Sequence, residues 1–218
     1  MQKLTISKMS GKMEGFRGVN LNPLSNEFCQ KMRVGNTICR ECYSVRLLQS
    51  ARKSAVGAFE RNSQLMQSGP IADEQIPRFY PGEHVRLLAH GELINDQCFL
   101  NFCKVAEFNR NSHFVMWTKR VDIVKANVDA IPTNVTLMYS TPAVDIAHPR
   151  VPDAQIFNGT FNVYTHEFAK EHNIDINCPG KCSTCMRCYT QKHIVVNELI
   201  RRINYAKYDD QGRRISEV

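Results

Sequence analysis

Cys178-Pro-Gly-Lys-Cys182-Ser-Thr-Cys185-Met-Arg-Cys188 places four thiols within eleven residues, at gaps of three, two and two. Two of those gaps are the Cys-x-x-Cys step that brings two thiolates to one metal from a single turn, and Pro179 and Gly180 supply the bend. Thiolate groups of this kind hold zinc or iron–sulfur centres. Zinc sites usually divide into two Cys-x-x-Cys pairs separated by a long loop. The unbroken run here favours a 4Fe–4S cluster, with zinc as the alternative.

A second set lies far upstream, at Cys29, Cys39 and Cys42, in a loop rich in Gly and Asn that gives no core reason for three thiols. Three thiolates leave one iron of a cubane without a protein ligand, and an open iron can bind a substrate or cofactor. One or two clusters are therefore expected, and seven of the nine cysteines are arranged as ligands. Cys98 and Cys103, five apart on an expected helix, do not share a face and read as core residues.

The 218 residues suit one domain with a sizeable core. No segment approaches the length of a membrane span, and the start lacks the apolar stretch of a signal peptide. The expectation is a cytoplasmic protein, in a compartment that keeps thiols reduced. The net charge of +7 is formal and falls as thiols deprotonate onto metal. Basic residues gather at both ends, including Arg201, Arg202, Lys207, Arg213 and Arg214. They make nucleic acid a candidate partner, against the plainer reading of a solvated surface.

Along the chain, residues 3–8 read as a strand, followed by a Gly/Asn/Pro loop. Residues 44–66 have helical spacing and end at Gly69-Pro70. Strands are expected over 84–90, 113–117, 135–140, 154–157 and 161–166, and helices over 95–110 and 121–128. The cysteine run follows, then a terminal basic helix over 191–208. Strands alternating with helices imply parallel βαβ units, whose ligands bind beyond the carboxyl ends of the strands. Gly91-Glu92, Lys119-Arg120 and Ser140-Thr141 sit at such ends. Gly91 permits close approach and Glu92 supplies a fixed charge; a plain turn is the other reading. Lys119 and Arg120 suit a phosphate or carboxylate, or a charged cap on the sheet.

Four ordered motifs carry a resemblance: Cys39-Arg-Glu-Cys42-Tyr43-Ser44; Val85-Arg-Leu-Leu-Ala-His-Gly91-Glu92; His113-Phe-Val-Met-Trp-Thr-Lys119; and Asn177-Cys-Pro-Gly-Lys-Cys-Ser-Thr-Cys185. Together they resemble the phage "gene product eighty-eight" family, over residues 29–189. His90-Gly91-Glu92 stands where that family has a Ser-Gly-Asp-like step. The family is similar to radical S-adenosylmethionine proteins. That likeness implies a partial (β/α) barrel, a cluster in the loop after the first strand at Cys29, Cys39 and Cys42, and S-adenosylmethionine as a candidate cofactor, with Gly91 and Glu92 near its amino group. The x3, x2 spacing of that larger group occurs instead at Cys178, Cys182 and Cys185.

The reading is an α/β protein: a partial (β/α) barrel-like parallel sheet over 1–170, with a cysteine-rich C-terminal segment and basic helix over 171–218 packed on the same domain. Its function is that of an iron–sulfur protein, a candidate radical S-adenosylmethionine-like enzyme. The alternative is a non-catalytic nucleic-acid-binding protein whose metal centres are structural or redox-sensing.

Overall fold

The computed structural model describes residues 2–34, 37–149 and 151–200. Seven strands form one sheet in the order of the chain: β1 (Ile6–Lys8), β2 (Arg17–Val19), β3 (His84–Leu87), β4 (His113–Thr118), β5 (Val135–Val144), β6 (Gly159–Tyr164) and β7 (Ile194–Leu199). β1 pairs antiparallel with β2, and every later pairing is parallel. The α/β class is thus as the sequence implies. The strand order never reverses, so the sheet has no topological switch point of the doubly wound kind.

The helices are α1 (Glu27–Val34), α2 (Tyr43–Gln49), α3 (Val56–Gln67), α4 (Asp96–Phe108), α5 (Val121–Ala126), α6 (His166–Glu171), α7 (Cys182–Cys185) and α8 (Arg187–Thr190). None among the described residues is long and apolar enough to cross a membrane.

Alternation along the strands divides the apolar side chains between two faces. Val85, Leu87, Phe114, Met116 and Leu137 join Phe99, Phe102 and Val105 of α4, Ile123 and Val124 of α5 and Met66 of α3 in the larger core. Cys98 and Cys103 are buried there, as the core reading expects. Val115, Trp117, Met138 and Val196 face the other way. They meet Met9, Met13 and Phe16 from the β1–β2 connection, with Cys178, Cys182, Met186, Cys188 and Tyr189 packed against them. Helices therefore cover one face of the sheet and the cysteine-rich segment covers the other.

Five sequence expectations are corrected. Ser140-Thr141, expected at a strand end, lies inside β5, which runs on to Val144. The Gly/Asn/Pro loop contains β2 and α1; a three-residue strand is too short to show a period. The helix over 44–66 is two, because Ser50 leaves helical backbone (φ −127°, ψ −102°) and its hydroxyl donates back to the Arg46 carbonyl at 2.6 Å. Residues 154–157 form a turn, in which Asp153 accepts from the amides of Gln155, Ile156 and Phe157. The C-terminal helix is replaced over Ile194–Leu199 by β7, parallel to β6. Its start, Ile194-Val195-Val196, is β-branched throughout and alternates buried and exposed, which suits a pleated surface better than a helix. The remainder of that expected helix, with Arg201, Arg202 and Lys207, lies outside the described residues, as do Arg213 and Arg214.

Candidate metal centres

The first group of thiols stands beyond the carboxyl ends of β2, β3 and β4. Asn26, just before α1, is buried and ties the group together: its Oδ1 accepts from the Cys29 amide at 3.1 Å and its Nδ2 donates to the Glu92 carbonyl at 2.8 Å. A 3₁₀ turn over Ile38–Glu41 holds Cys39, whose amide donates to Thr37 Oγ1 at 3.1 Å. The Cys42 amide donates to the Cys39 carbonyl at 3.2 Å, and α2 begins at the next residue.

The His90-Gly91-Glu92 step locks this loop to the sheet. The His90 carbonyl accepts from the Leu21 amide at 3.0 Å, and the His90 amide donates to Asn20 Oδ1 at 3.0 Å. Gly91 has φ +84°, and a Cβ there would lie 2.7 Å from the Leu21 carbonyl oxygen, so only glycine fits. Glu92 is buried, with both oxygens engaged: Oε1 accepts from Thr118 Oγ1 at 2.6 Å and the Leu93 amide at 2.9 Å, Oε2 from the Lys119 amide at 2.9 Å. Its carboxylate thus fastens the step to the end of β4. Lys119 Nζ donates to Ser140 Oγ at 3.0 Å. Arg120 is taken up by Asp122 and by the Leu93 and Ile94 carbonyls, which makes it a structural residue, not an anion clamp.

These groups act on one another electrostatically. Burial pushes the Cys29 thiol far up, with Glu92, Cys42 and Cys39 adding to the rise and Lys119 opposing it. Burial also raises Cys39; Lys119 opposes this, and Cys42 and Glu92 reinforce it. The structure therefore brings Cys29, Cys39, Cys42, Glu92 and Lys119 into one neighbourhood.

The second group lies across the other face of the sheet. The Cys178 amide donates to the Asn197 carbonyl at 3.0 Å, and Asn177 bonds both the Asn197 amide and the Val195 carbonyl, so the run is laced to β7. One helical turn carries Cys182 and Cys185. Met186 then takes a left-handed backbone (φ +53°) that redirects the chain into α8 and Cys188. A non-glycine residue held there stores strain that the surrounding packing must offset. Trp117, Tyr189 and Val196 join the four cysteines in lining one pocket. Burial lifts Cys188 to about 12; Arg86 opposes this, and Cys182, Cys178 and Cys185 add to it.

Among the described residues, no three His, Cys, Asp or Glu side chains converge tightly enough to hold a single metal ion. All nine cysteines are free thiols. Within each group the candidate donors are thiols that raise one another's pKa.

No family model, curated protein or solved structure matches the chain.

Sequence reasoning passed over Arg86, Tyr43 and Tyr189. Tyr43 follows Cys42 and donates to the Ala89 carbonyl; Tyr189 follows Cys188. The available signal was Arg86 itself, a charge set inside the apolar run Val85-Arg-Leu-Leu-Ala.

Proposed function

We propose that this is an iron–sulfur protein with two cysteine-held centres, a closed 4Fe–4S cluster at Cys178, Cys182, Cys185 and Cys188 and an open-site cluster at Cys29, Cys39 and Cys42. The second is read as the centre of an enzyme of the radical S-adenosylmethionine kind. What supports this reading is that Cys29, Cys39 and Cys42 share a neighbourhood with Glu92 and Lys119, the residues that follow β3 and β4. Ligands of parallel α/β sheets bind at the carboxyl ends of the strands. The unreversed strand order is that of a (β/α) barrel wall, so the sheet is read as a partial barrel. The likeness to the phage family and a reducing cytoplasmic setting belong to the same proposal.

Cys29, Cys39 and Cys42 would hold three irons and leave one for the amino acid end of S-adenosylmethionine. When bound, such a cluster supplies the electron that splits the sulfonium. Lys119 places a cation beside the thiolates and offsets their charge. Glu92 keeps the step rigid through Thr118 and the Lys119 amide, beside the thiols that would hold the open iron.

Anaerobic purification after iron-rich expression, with iron, sulfide and zinc analysis, tests the centres. Brown protein with iron and sulfide is expected, and reduced protein given S-adenosylmethionine is expected to release 5′-deoxyadenosine. Colourless protein with stoichiometric zinc would replace this reading with structural zinc modules. Tight, salt-sensitive binding to DNA or RNA without cleavage of S-adenosylmethionine would favour the nucleic-acid-binding alternative.

A further inference from the structure

The alternation of β3 sends Val85 and Leu87 into the helix-covered core and Arg86 to the opposite face, beneath the cysteine-rich segment. The Arg86 guanidinium carbon lies 3.2 Å from the centroid of the Trp117 ring. Its Nε is buried with no hydrogen-bond partner. Among the described residues no carboxylate forms an ion pair with it. Loss of water is the strongest influence on the group and pulls its pKa down; Tyr189, Tyr43, Cys182 and Cys188 pull it up.

A guanidinium stays charged in a protein, and one partly withdrawn from water with its Nε buried and no anion beside it is unfavourably placed. A ring face offsets only part of that cost. Trp117, on whose ring Arg86 stacks, packs with Cys178, Cys182 and Cys188 and lines the pocket that the four cysteines share. Thiols become anions on binding metal. Arg86 is thus a cation whose counter-charge arrives with the centre.

We propose that Arg86 is the built-in counter-cation of the centre held by Cys178, Cys182, Cys185 and Cys188, and that it sets the reduction potential of that centre. The inference rests on the cluster reading above. One-electron reduction makes the cluster and its four thiolates more negative by one charge, with no proton required. A fixed cation nearby stabilises the reduced form more than the oxidised form and raises the potential. Arg86 acts through the ligands and is a positioning residue.

The test is an anaerobic redox titration with dithionite, which is oxidised as it supplies the electron, followed by the paramagnetic signal of the reduced cluster. It is run on the full chain and on a Cys39→Ala, Cys42→Ala chain, in which the C-terminal thiols are the one complete set. Arg86→Gln is expected to shift the midpoint to more negative values by roughly a tenfold change in the reduction equilibrium, about 59 mV. Arg86→Lys, which keeps the charge, is expected to stay near the parent value. An unchanged midpoint in Arg86→Gln with full iron and sulfide would overturn the inference and leave the cluster reading intact. A shift confined to the other centre would overturn it too. If Arg86→Gln fails to take up iron, Arg86→Lys decides: normal uptake supports the role of charge, and equal loss overturns it. Parent protein without iron or sulfide would defeat the cluster reading itself, and this inference with it.

Discussion

Glu92 Oε1 and Thr118 Oγ1 lie 2.6 Å apart, a hydrogen bond that joins the step after β3 to the last residue of β4. Two backbone amides, of Leu93 and Lys119, donate to the same carboxylate. Glu92 is therefore the fastening of the end of the sheet at which the first three thiols gather.

Glu92→Ala is expected to leave these donors without an acceptor, at a cost of about 1–3 kcal/mol for each that water cannot reach. Glu92→Gln keeps one acceptor oxygen and should lose less. Urea unfolding of the three proteins gives the ranking; equal stability of Glu92→Ala and the parent would sink this account.

Gly91→Ala is expected to destabilise by more than its single methyl suggests. The residue has φ +84° and its Cβ would meet the Leu21 carbonyl at 2.7 Å. The backbone conformation alone costs about 1–3 kcal/mol for a non-glycine residue. The loop carrying Cys29 is joined to the sheet by the adjacent Leu21–His90 hydrogen bond, so iron bound by the first group should fall while the second group keeps its own. Parallel loss of both would count against this separation.

His90 gives the chain a defined acid sensitivity. It is buried at 3% exposure, shares a 2.7 Å hydrogen bond between its Nδ1 and Ser44 Oγ, and its pKa is lowered to about 4, by burial first and then by Arg52 and Arg86. In the unfolded chain the imidazole titrates near 6.5, so below that pH the unfolded state binds the extra proton and the folded state does not. Stability is fully present above pH 6.5 and falls as the pH drops towards 4, by about 3 kcal/mol over the window. His90→Gln should flatten the dependence of unfolding free energy on pH across that range. An unaltered slope would show that another group carries it.

Metal loading at the second group should release protons and strengthen with pH. Burial raises both Cys182 and Cys188, the latter to about 12, so the metal-free thiols are protonated at neutral pH. Potentiometry during anaerobic reconstitution reads the protons directly. Chelation of the metal should lower the melting temperature, because Cys178, Cys182 and Cys188 pack on the apolar face that includes Trp117 and Val196. An unchanged melting temperature would show that this face does not depend on metal.

What the sequence revealed depended on length and spacing. β3, α4, β4, α5 and β5 are long or apolar enough to show their periods; the bounds of α4, β4 and α5 fall close to expectation, while β3 stops at Leu87 and β5 runs on to Val144. β2 and α1 were hidden, the first by having three residues, the second because Glu27–Val34 has no buried residue and so no apolar stripe to read. β7 was mistaken for helix because polar and charged residues follow its β-branched start. The cysteine groups were legible because ligand spacing is local, and the Cys29 group comes together through Asn26 and Thr37, near neighbours in sequence. The place of Arg86 was not legible, since it depends on which face of β3 the cysteine-rich segment covers.

The strand order also fixes a calendar for the chain as it leaves the ribosome. The helix-covered face can assemble once α5 and β5 have emerged, because its main partners are neighbours in sequence. The opposite face cannot. Val115, Trp117 and Met138 are made well before Tyr189, Ile194 and Val196, which cover them together with Met9, Met13 and Phe16. Until they emerge that apolar surface stands bare, with Arg86 among it. The nascent protein is at its stickiest just before the cysteine-rich segment appears, and how promptly that segment docks decides between a sealed molecule and an aggregate.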